Sequence, residues 1–222
     1  MSHQDRMPAD LLMRNYTPSS LALLAVIGLI HLTGCAVFPV HEAADLPTAV
    51  KADLANNASE PGAPVASRVH FIVPFFPDNT DQCGPAALAS ILTYWGIPSD
   101  PRTLRDEIYL RRIRGTLSID LLLAAQSRGL QAEGTSGTLH RLKTELAAGR
   151  PVIALLNLGW IIYPQGHYVV LTGYDDQRQG VYLHSGSVRD AFVPYPLFLA
   201  KWEKTGRWMI QARPLKPQGP VH

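Results

Sequence analysis

Residues 81–96 read Asp-Gln-Cys-Gly-Pro-Ala-Ala-Leu-Ala-Ser-Ile-Leu-Thr-Tyr-Trp-Gly and place a cysteine directly before a helix. Pro85 suits the first helical turn, where its missing N–H is no loss, and apolar residues then recur at steps of three and four. Gly96, followed by Pro98, ends the helix. Cys83 is therefore predicted to lie at a helix N-terminus, where unpaired backbone N–H groups favour a thiolate.

Gln82 precedes this cysteine, and its side-chain amide could donate to an oxyanion on a substrate that the sulfur attacks. The alternative interpretation of Cys83 is a buried structural cysteine, because free cysteine is among the most buried residue types. The rest of the chain has to favour one of the two.

The composition is that of an ordinary globular protein. Of the 222 residues, 46% are hydrophobic and 17% are charged, which is enough for one core. The formal net charge of +2 gives no electrostatic reason to expect nucleic acid as a partner. Two cysteines exclude a disulfide-rich scaffold, and the eight histidines show no paired spacing for metal ligands. We therefore expect neither a metal nor a cofactor.

The N-terminal segment has the pattern of an export signal. Arg6 and Arg14 precede an apolar run over residues 21–32, which is short for a permanent membrane span. The run leads into Leu-Thr-Gly-Cys at residues 32–35, which resembles the lipobox of bacterial lipoproteins. In such proteins the cysteine, here Cys35, is lipidated and becomes the first mature residue. An ordinary N-terminal anchor with a chance cysteine is the alternative.

Ala36 follows the lipobox, without the aspartate that commonly retains such proteins at the inner membrane. The resemblance therefore implies an outer membrane lipoprotein that faces the periplasm. Acylation of Cys35 would leave Cys83 without an intramolecular disulfide partner. A lone thiol in an exported protein is either reactive or well buried, which favours a functional Cys83.

The composition also predicts the domain boundaries. Residues 1–35 form the signal peptide with its lipobox, and residues 36–67 a flexible tether rich in Ala, Pro, Asp and Asn. Residues 68–213 form the folded domain, and residues 214–222, which are rich in proline, form a disordered tail.

Within the domain, helices precede strands. The sequence predicts four further helices after the cysteine helix, and the one over residues 118–128 carries Ile119, Leu122 and Leu123 on its inward face. Short apolar runs bounded by turn residues then predict strands. This order predicts an α+β fold, with N-terminal helices packed on an antiparallel sheet. The predicted helices cover residues 101–109, 118–128, 138–148 and 195–202, and the strands residues 69–75, 151–157, 166–174, 181–184 and 207–212.

His167 stands at the start of a predicted central strand, 84 positions after Cys83. This separation is no obstacle, because catalytic partners meet in space rather than in sequence. A histidine that faces the N-terminus of the cysteine helix can take the thiol proton and later give a proton to a leaving amine. A satisfied core histidine is the alternative.

Three blocks of sequence together carry a family resemblance: Asp-Gln-Cys-Gly-Pro at 81–85, Arg-Pro-Val-Ile-Ala at 150–154, and Gly-His-Tyr-Val-Val-Leu-Thr-Gly-Tyr at 166–174. The chain resembles the bacteriocin-leader, or double-glycine, cysteine peptidases and their stand-alone relatives from about residue 69 to residue 212. The resemblance implies a papain-like fold with Cys83 as nucleophile, His167 as base and Gln82 in the oxyanion hole.

The lipoprotein signal further resembles a proteobacterial branch of these relatives, in which a lipid-anchored peptidase-like domain can precede helical repeats. This sequence shows no internal repeat. The branch implies an export machinery or a separate repeat protein as partner.

Position 185 departs from the family's pattern. The family usually has an aspartate on the strand after the histidine strand, where it orients the imidazole, whereas Ser185 stands there in this chain. A serine hydroxyl can accept the imidazole N–H but cannot stabilise an imidazolium as a carboxylate does. The sequence does not choose among the other residues that could take this role, which are His184, Asp176, Asp190 and Asn157.

Three functions remain open. The first is a membrane-tethered, periplasm-facing cysteine peptidase, a hydrolase that cleaves a peptide or protein through a Cys-His dyad or triad. The second is a papain-like module that binds a peptide in an export or envelope assembly and has weak or no catalytic activity. The third is acyl transfer or amide hydrolysis by the same dyad. Activation of Cys83 distinguishes the first two.

Overall fold

The computed structural model describes residues 66–78, 81–159 and 162–215, together with the single residue Thr48. The predicted signal peptide with Cys35, nearly all of the predicted tether, and residues 216–222 of the predicted tail lie outside the described residues. None of the helices within the described ranges is long and apolar enough to cross a membrane.

The described residues form one antiparallel sheet with helices, as the order of sequence patterns predicts. The helices are α1 Cys83–Tyr94, α2 Pro101–Ile108, α3 Ser118–Ser127, α4 Leu139–Ala147 and α5 Tyr195–Glu203. The strands are β1 Arg68–His70, β2 Leu130–Ser136, β3 Val152–Asn157, β4 Gly166–Asp175, β5 Gly180–Ser185, β6 Val188–Pro194 and β7 Trp208–Pro214.

The strands pair in the order β2-β7-β3-β4-β5-β6, and every pairing is antiparallel. The short β1 pairs with the last residues of β4, beyond the end of β3. Gly173 is needed there, because a Cβ atom at this position would lie 2.2 Å from the carbonyl oxygen of Val69. β4 is therefore a central strand, which pairs with β1, β3 and β5.

The core is divided between the two faces of the sheet. Successive side chains of β4 alternate between them: Tyr168 and Val170 pack with α1, α2 and α3, whereas Val169 and Leu171 pack with α4 and α5. α1 is buried over nearly its whole length, from Gly84 to Leu92. The helix that carries the cysteine is therefore held rigidly against the sheet.

The inward face predicted for α3 is wrong at two of its three residues, whereas Leu122 is partly buried against the core as predicted. Ile119 and Leu123 are each 53% exposed, whereas Leu121, Ala124 and Ala125 are buried. The helix turns its smaller residues inward because alanines allow it to approach α1 and β2 closely.

Candidate active site

Cys83 is the first residue of α1, as predicted, and Gln82 is the N-cap. A glycine is needed after the cysteine because the segment before α3 passes directly over Gly84. A Cβ atom on Gly84 would lie 2.9 Å from both Cβ and Oγ1 of Thr116. Glycine at this position therefore lets the segment before α3 close over the first turn of α1.

The sulfur of Cys83 accepts a hydrogen bond from the backbone N–H of Tyr168, with an N–S distance of 3.5 Å. The last β5 partner at this end of β4 is His184, opposite Val170. The Tyr168 amide lies beyond that pair, so the cysteine takes the position next to β4 that β5 leaves open. Since Tyr168 follows His167, the sulfur and the imidazole are brought to the same end of the strand.

The expectation that the helix N-terminus favours a thiolate needs correction. Burial raises the pKa of Cys83 above its ordinary value of 9.0, and the carboxylate of Asp78 also raises it. The backbone N–H groups of Tyr168, Gly84 and Cys83 lower the pKa but do not outweigh burial. At neutral pH the resting sulfur is therefore a thiol.

His167 is the second residue of β4 and is half-buried. Its Nε2 lies 3.0 Å from Oγ of Ser185, at the end of β5. With Nε2 at the serine, Nδ1 is the ring nitrogen that would have to take the thiol proton, and Nε2–H would then donate to the serine. Burial lowers the pKa of His167 below its ordinary value of 6.5, although the charge of Asp78 acts in the opposite direction. The resting imidazole is neutral at pH 7.

Ser185 is the side chain that the structure brings to the second nitrogen of His167. The four alternatives left open by the sequence bond to other groups within the described residues. His184 bonds to the Val73 carbonyl at 3.1 Å, and Asp190 to Thr172 at 3.0 Å. Asp176 bonds to Lys143 at 2.7 Å, and Asn157 to the Gly159 amide at 2.9 Å.

Gln82 lies next to the nucleophile and is half-buried. Its side chain makes no capping bond to α1, and its backbone N–H donates to Oδ2 of Asp78 at 3.1 Å. The side-chain amide is therefore not used to hold the helix. The oxyanion role of Gln82 stays a prediction.

Asp78 is the residue near the site that sequence reasoning missed. It lines a small recess, called the Cys83 recess below, whose wall includes Asp78, Cys83, His184, Ser185 and Gly186. The cavity has a volume of about 20 Å³, room for about one water molecule. The only sequence signal for Asp78 is its position five residues before the cysteine. Its place in the recess depends on a contact with Gly186, which the sequence does not reveal.

The described part of the chain contains no group of three or more His, Cys, Asp or Glu side chains placed to hold a metal ion. The arrangement instead supports nucleophilic chemistry: a thiol at a helix N-terminus, a neutral imidazole on the adjacent strand, and a hydroxyl on the far side of that imidazole.

The model of the Peptidase C39-like family matches residues 69–208. The chain belongs to this family. The match covers the cysteine helix, the histidine strand and the described sheet up to the start of β7. It confirms the peptidase resemblance predicted from the three blocks, whereas the lipoprotein branch of the family stays a prediction. No curated protein matches the chain.

Two solved structures share the C39-like fold. A putative C39-like peptidase from Bacillus anthracis is 23% identical, with 68% of this chain and 99% of that chain covered and a TM-score of 0.53. The peptidase domain of Streptococcus ComA, a bifunctional ABC transporter involved in quorum sensing, is 24% identical, with 65% and 99% covered and a TM-score of 0.52. The prediction of an α+β, papain-like peptidase fold is confirmed.

Substitution of Ser185 tests its hydrogen bond to His167. In Ser185→Ala the imidazole loses its partner, so we expect Cys83 alkylation at pH 7 to slow by about tenfold. Ser185→Asp installs a carboxylate beside Nε2 and is expected to raise the pKa of His167, measured by NMR titration of its ring protons. Ser187→Ala, in the exposed turn that follows, is the matched control. An unchanged rate in Ser185→Ala would mean that the serine does not orient the imidazole.

Proposed function

We propose that this chain is a cysteine peptidase that is anchored by lipid to the outer membrane and hydrolyses a peptide or protein in the periplasm. The observation that supports the peptidase proposal is that Cys83 contacts the backbone of Tyr168 while the preceding residue, His167, contacts Ser185, in a C39-like fold. The hydrogen bond from the Tyr168 N–H to the sulfur and the Nε2–Oγ contact of His167 are thus made by two consecutive residues of β4.

The chemistry starts from a neutral pair, because burial raises the pKa of Cys83 and lowers the pKa of His167. Nδ1 of His167 takes the thiol proton as Sγ forms a bond to the scissile carbonyl carbon. The carbonyl oxygen becomes an oxyanion, and we assign its stabilisation to the Gln82 side-chain amide together with backbone N–H groups at the start of α1.

The tetrahedral intermediate then collapses, and the C–N bond breaks. The amine leaves with the proton that His167 holds, and the acyl group stays on Cys83 as a thioester. Water attacks the thioester while His167 accepts its proton, and the thiolate leaves and is reprotonated. Acyl transfer differs only in the acceptor, an amine in place of water, so product analysis with added amines separates the two reactions.

A peptide-binding module without activity is the second candidate. Two observations favour it: Ser185 stands where a carboxylate would stabilise an imidazolium, and burial keeps Cys83 a thiol. The test is incubation of the full chain with a digest of periplasmic and exported proteins, followed by mass spectrometry of new termini. New termini that need Cys83 support the peptidase. Peptides that are retained but uncut, in wild type and Cys83→Ala alike, support the binding module.

The location is proposed from the lipobox and has a direct test. When the full chain is expressed in a bacterial host fed an alkyne fatty acid, we expect label on the protein and its recovery in the outer membrane fraction. Cys35→Ala is expected to abolish both, because Cys35 is the proposed acylation site. Cys83→Ala is the matched control and is expected to keep them. Label that persists in Cys35→Ala would contradict the lipoprotein assignment.

The substrate class is a peptide segment, and an export machinery or a repeat protein is the proposed partner. The partner proposal rests on the sequence resemblance to the lipid-anchored branch. The ComA peptidase domain, a relative in fold, is part of an ABC transporter.

A further inference from the structure

Asp78 is tied to the site from two sides. Its backbone N–H donates to the carbonyl oxygen of Gly186 at 3.0 Å, which joins it to the turn that follows β5. Its Oδ2 accepts the backbone N–H of Gln82 at 3.1 Å, which joins it to the N-cap of α1. Asp78 therefore joins the segment that carries Ser185, through its backbone N–H, to the helix that begins with Cys83, through its carboxylate.

The same carboxylate lines the Cys83 recess with Cys83 and Ser185 and is half-buried there. Its charge reaches both members of the reactive pair, since it raises the pKa of Cys83 and opposes the lowering of the pKa of His167. Interactions of a fixed charge are strong in such a site because little water screens them.

The other titratable groups around the site do not supply this charge. Tyr168, from β4, has a pKa raised by burial and is neutral at pH 7. His184, from β5, is buried and has a lowered pKa, so it is also neutral. Asp81, which precedes the N-cap of α1, is 40% exposed at its side chain and pairs with Arg114 at 2.7 Å.

Beyond His184, the charged groups Asp190 and Arg189 and the imidazole of His70 form a separate cluster. Asp190 binds His70 at 3.2 Å and lies 3.6 Å from His184 Nδ1. Arg189 lies 3.4 Å from the Asp190 carboxylate. This cluster is separated from Cys83 by the His184 ring, whose Nε2 donates to the Val73 carbonyl.

We propose that Asp78 is a positioning residue of the peptidase site. From the segment before α1, it supplies the negative charge that Ser185 lacks. This charge sets the pH range in which the Cys83–His167 pair holds one proton. This inference rests on the proposed function, since the one-proton pair is the form that performs it.

The charge acts on both ends of this pH range in the same direction. A nearby carboxylate stabilises the form in which His167 is protonated and Cys83 is a thiol. The lower limb of the pH profile, where the pair loses the first of its two protons, therefore lies at higher pH. The carboxylate destabilises the form in which Cys83 is a thiolate and His167 is neutral. The upper limb of the profile, where the pair loses its last proton, therefore also lies at higher pH. The two limbs belong to the coupled pair, and loss of the charge moves both toward acid.

The test compares wild type with Asp78→Asn in the full chain, by the pH dependence of Cys83 alkylation and by NMR titration of His167. Asparagine keeps an oxygen that accepts the Gln82 N–H but removes the charge. We expect both limbs, and the titration of His167, to shift to lower pH in Asp78→Asn. Asp81→Asn is the matched control and is expected to shift neither.

A rescue variant separates charge from structure. Asp78→Asn combined with Ser185→Asp moves a carboxylate to the other side of His167, so the lower limb and the His167 titration are expected to return toward wild type. Unshifted limbs in Asp78→Asn, an equal shift in Asp81→Asn, or no return in the double variant would overturn the proposal.

The outcome also distinguishes failure of this inference from failure of the peptidase proposal. If Cys83 is reactive and depends on His167 but Asp78→Asn moves neither limb, only the inference fails. If Cys83 is unreactive, the peptidase proposal fails. The NMR titration of His167 still decides in that case whether Asp78 acts on the imidazole.

Discussion

Cys83→Ala is expected to abolish peptide hydrolysis, with kcat lowered by about a million-fold and so below detection. The reason is that the substitution removes the atom that forms the thioester, and no second nucleophile lies at the start of α1. Folding is expected to survive, because Cys83 is the first residue of the helix and is only partly buried, and alanine is a good helix former. The measurement is the appearance of new peptide termini under conditions in which wild type cleaves.

Two further variants make this result specific. Cys35→Ala keeps Cys83 and is expected to retain full hydrolysis in detergent, where a membrane anchor is not needed. Cys83→Ser keeps the shape of the side chain but has a far less acidic hydroxyl, and it is expected to be inactive as well. Hydrolysis that persists in Cys83→Ala would contradict the assignment of the nucleophile.

His167→Ala is expected to lower kcat by about 10²- to 10⁴-fold, the usual contribution of a positioned acid–base group. The variant loses the base that takes the thiol proton and the acid that protonates the leaving amine. Because burial and Asp78 hold Cys83 as a thiol, the sulfur has little nucleophilicity without that base. Full-chain kinetics with the peptide found in the cleavage assay would measure this loss.

His140→Ala is the matched control for this prediction. His140 lies on α4, which packs on the face of the sheet opposite α1, so its loss is expected to leave kcat unchanged. A decrease below threefold in His167→Ala would mean that His167 is a structural residue of β4 rather than the base.

Much of the fold could be predicted because its main elements carry strong local patterns. α1, α2 and α4 have clear starts and ends, and β3, β4 and β5 are continuous apolar runs. β2 and β6 were not predicted. β2 contains Glu133 and Gly134 and is a strand because it pairs along its whole length with β7. β6 includes Asp190 at a positive φ of 49° and depends on β5 in the same way.

The site was predictable to the extent that it is local. Cys83 at a helix start follows from five consecutive residues, and the choice of His167 follows from its strand. The thiol state of Cys83 was not predictable, because burial by distant segments outweighs the favourable helix end. Asp78 was missed for a similar reason, since its position depends on a bond to Gly186, 108 residues away in the chain.

The measurement that tests the central claim most directly is the pH dependence of Cys83 alkylation by iodoacetamide in wild type and His167→Ala, with the modified peptide identified by mass spectrometry. In wild type we expect a lower limb below the ordinary histidine value of 6.5 and an upper limb above the ordinary thiol value of 9.0, because burial lowers the pKa of His167 and raises the pKa of Cys83. In His167→Ala we expect the lower limb to disappear and a single rise at high pH to remain. Identical profiles in the two proteins, or a Cys83 that does not react, would contradict the peptidase account.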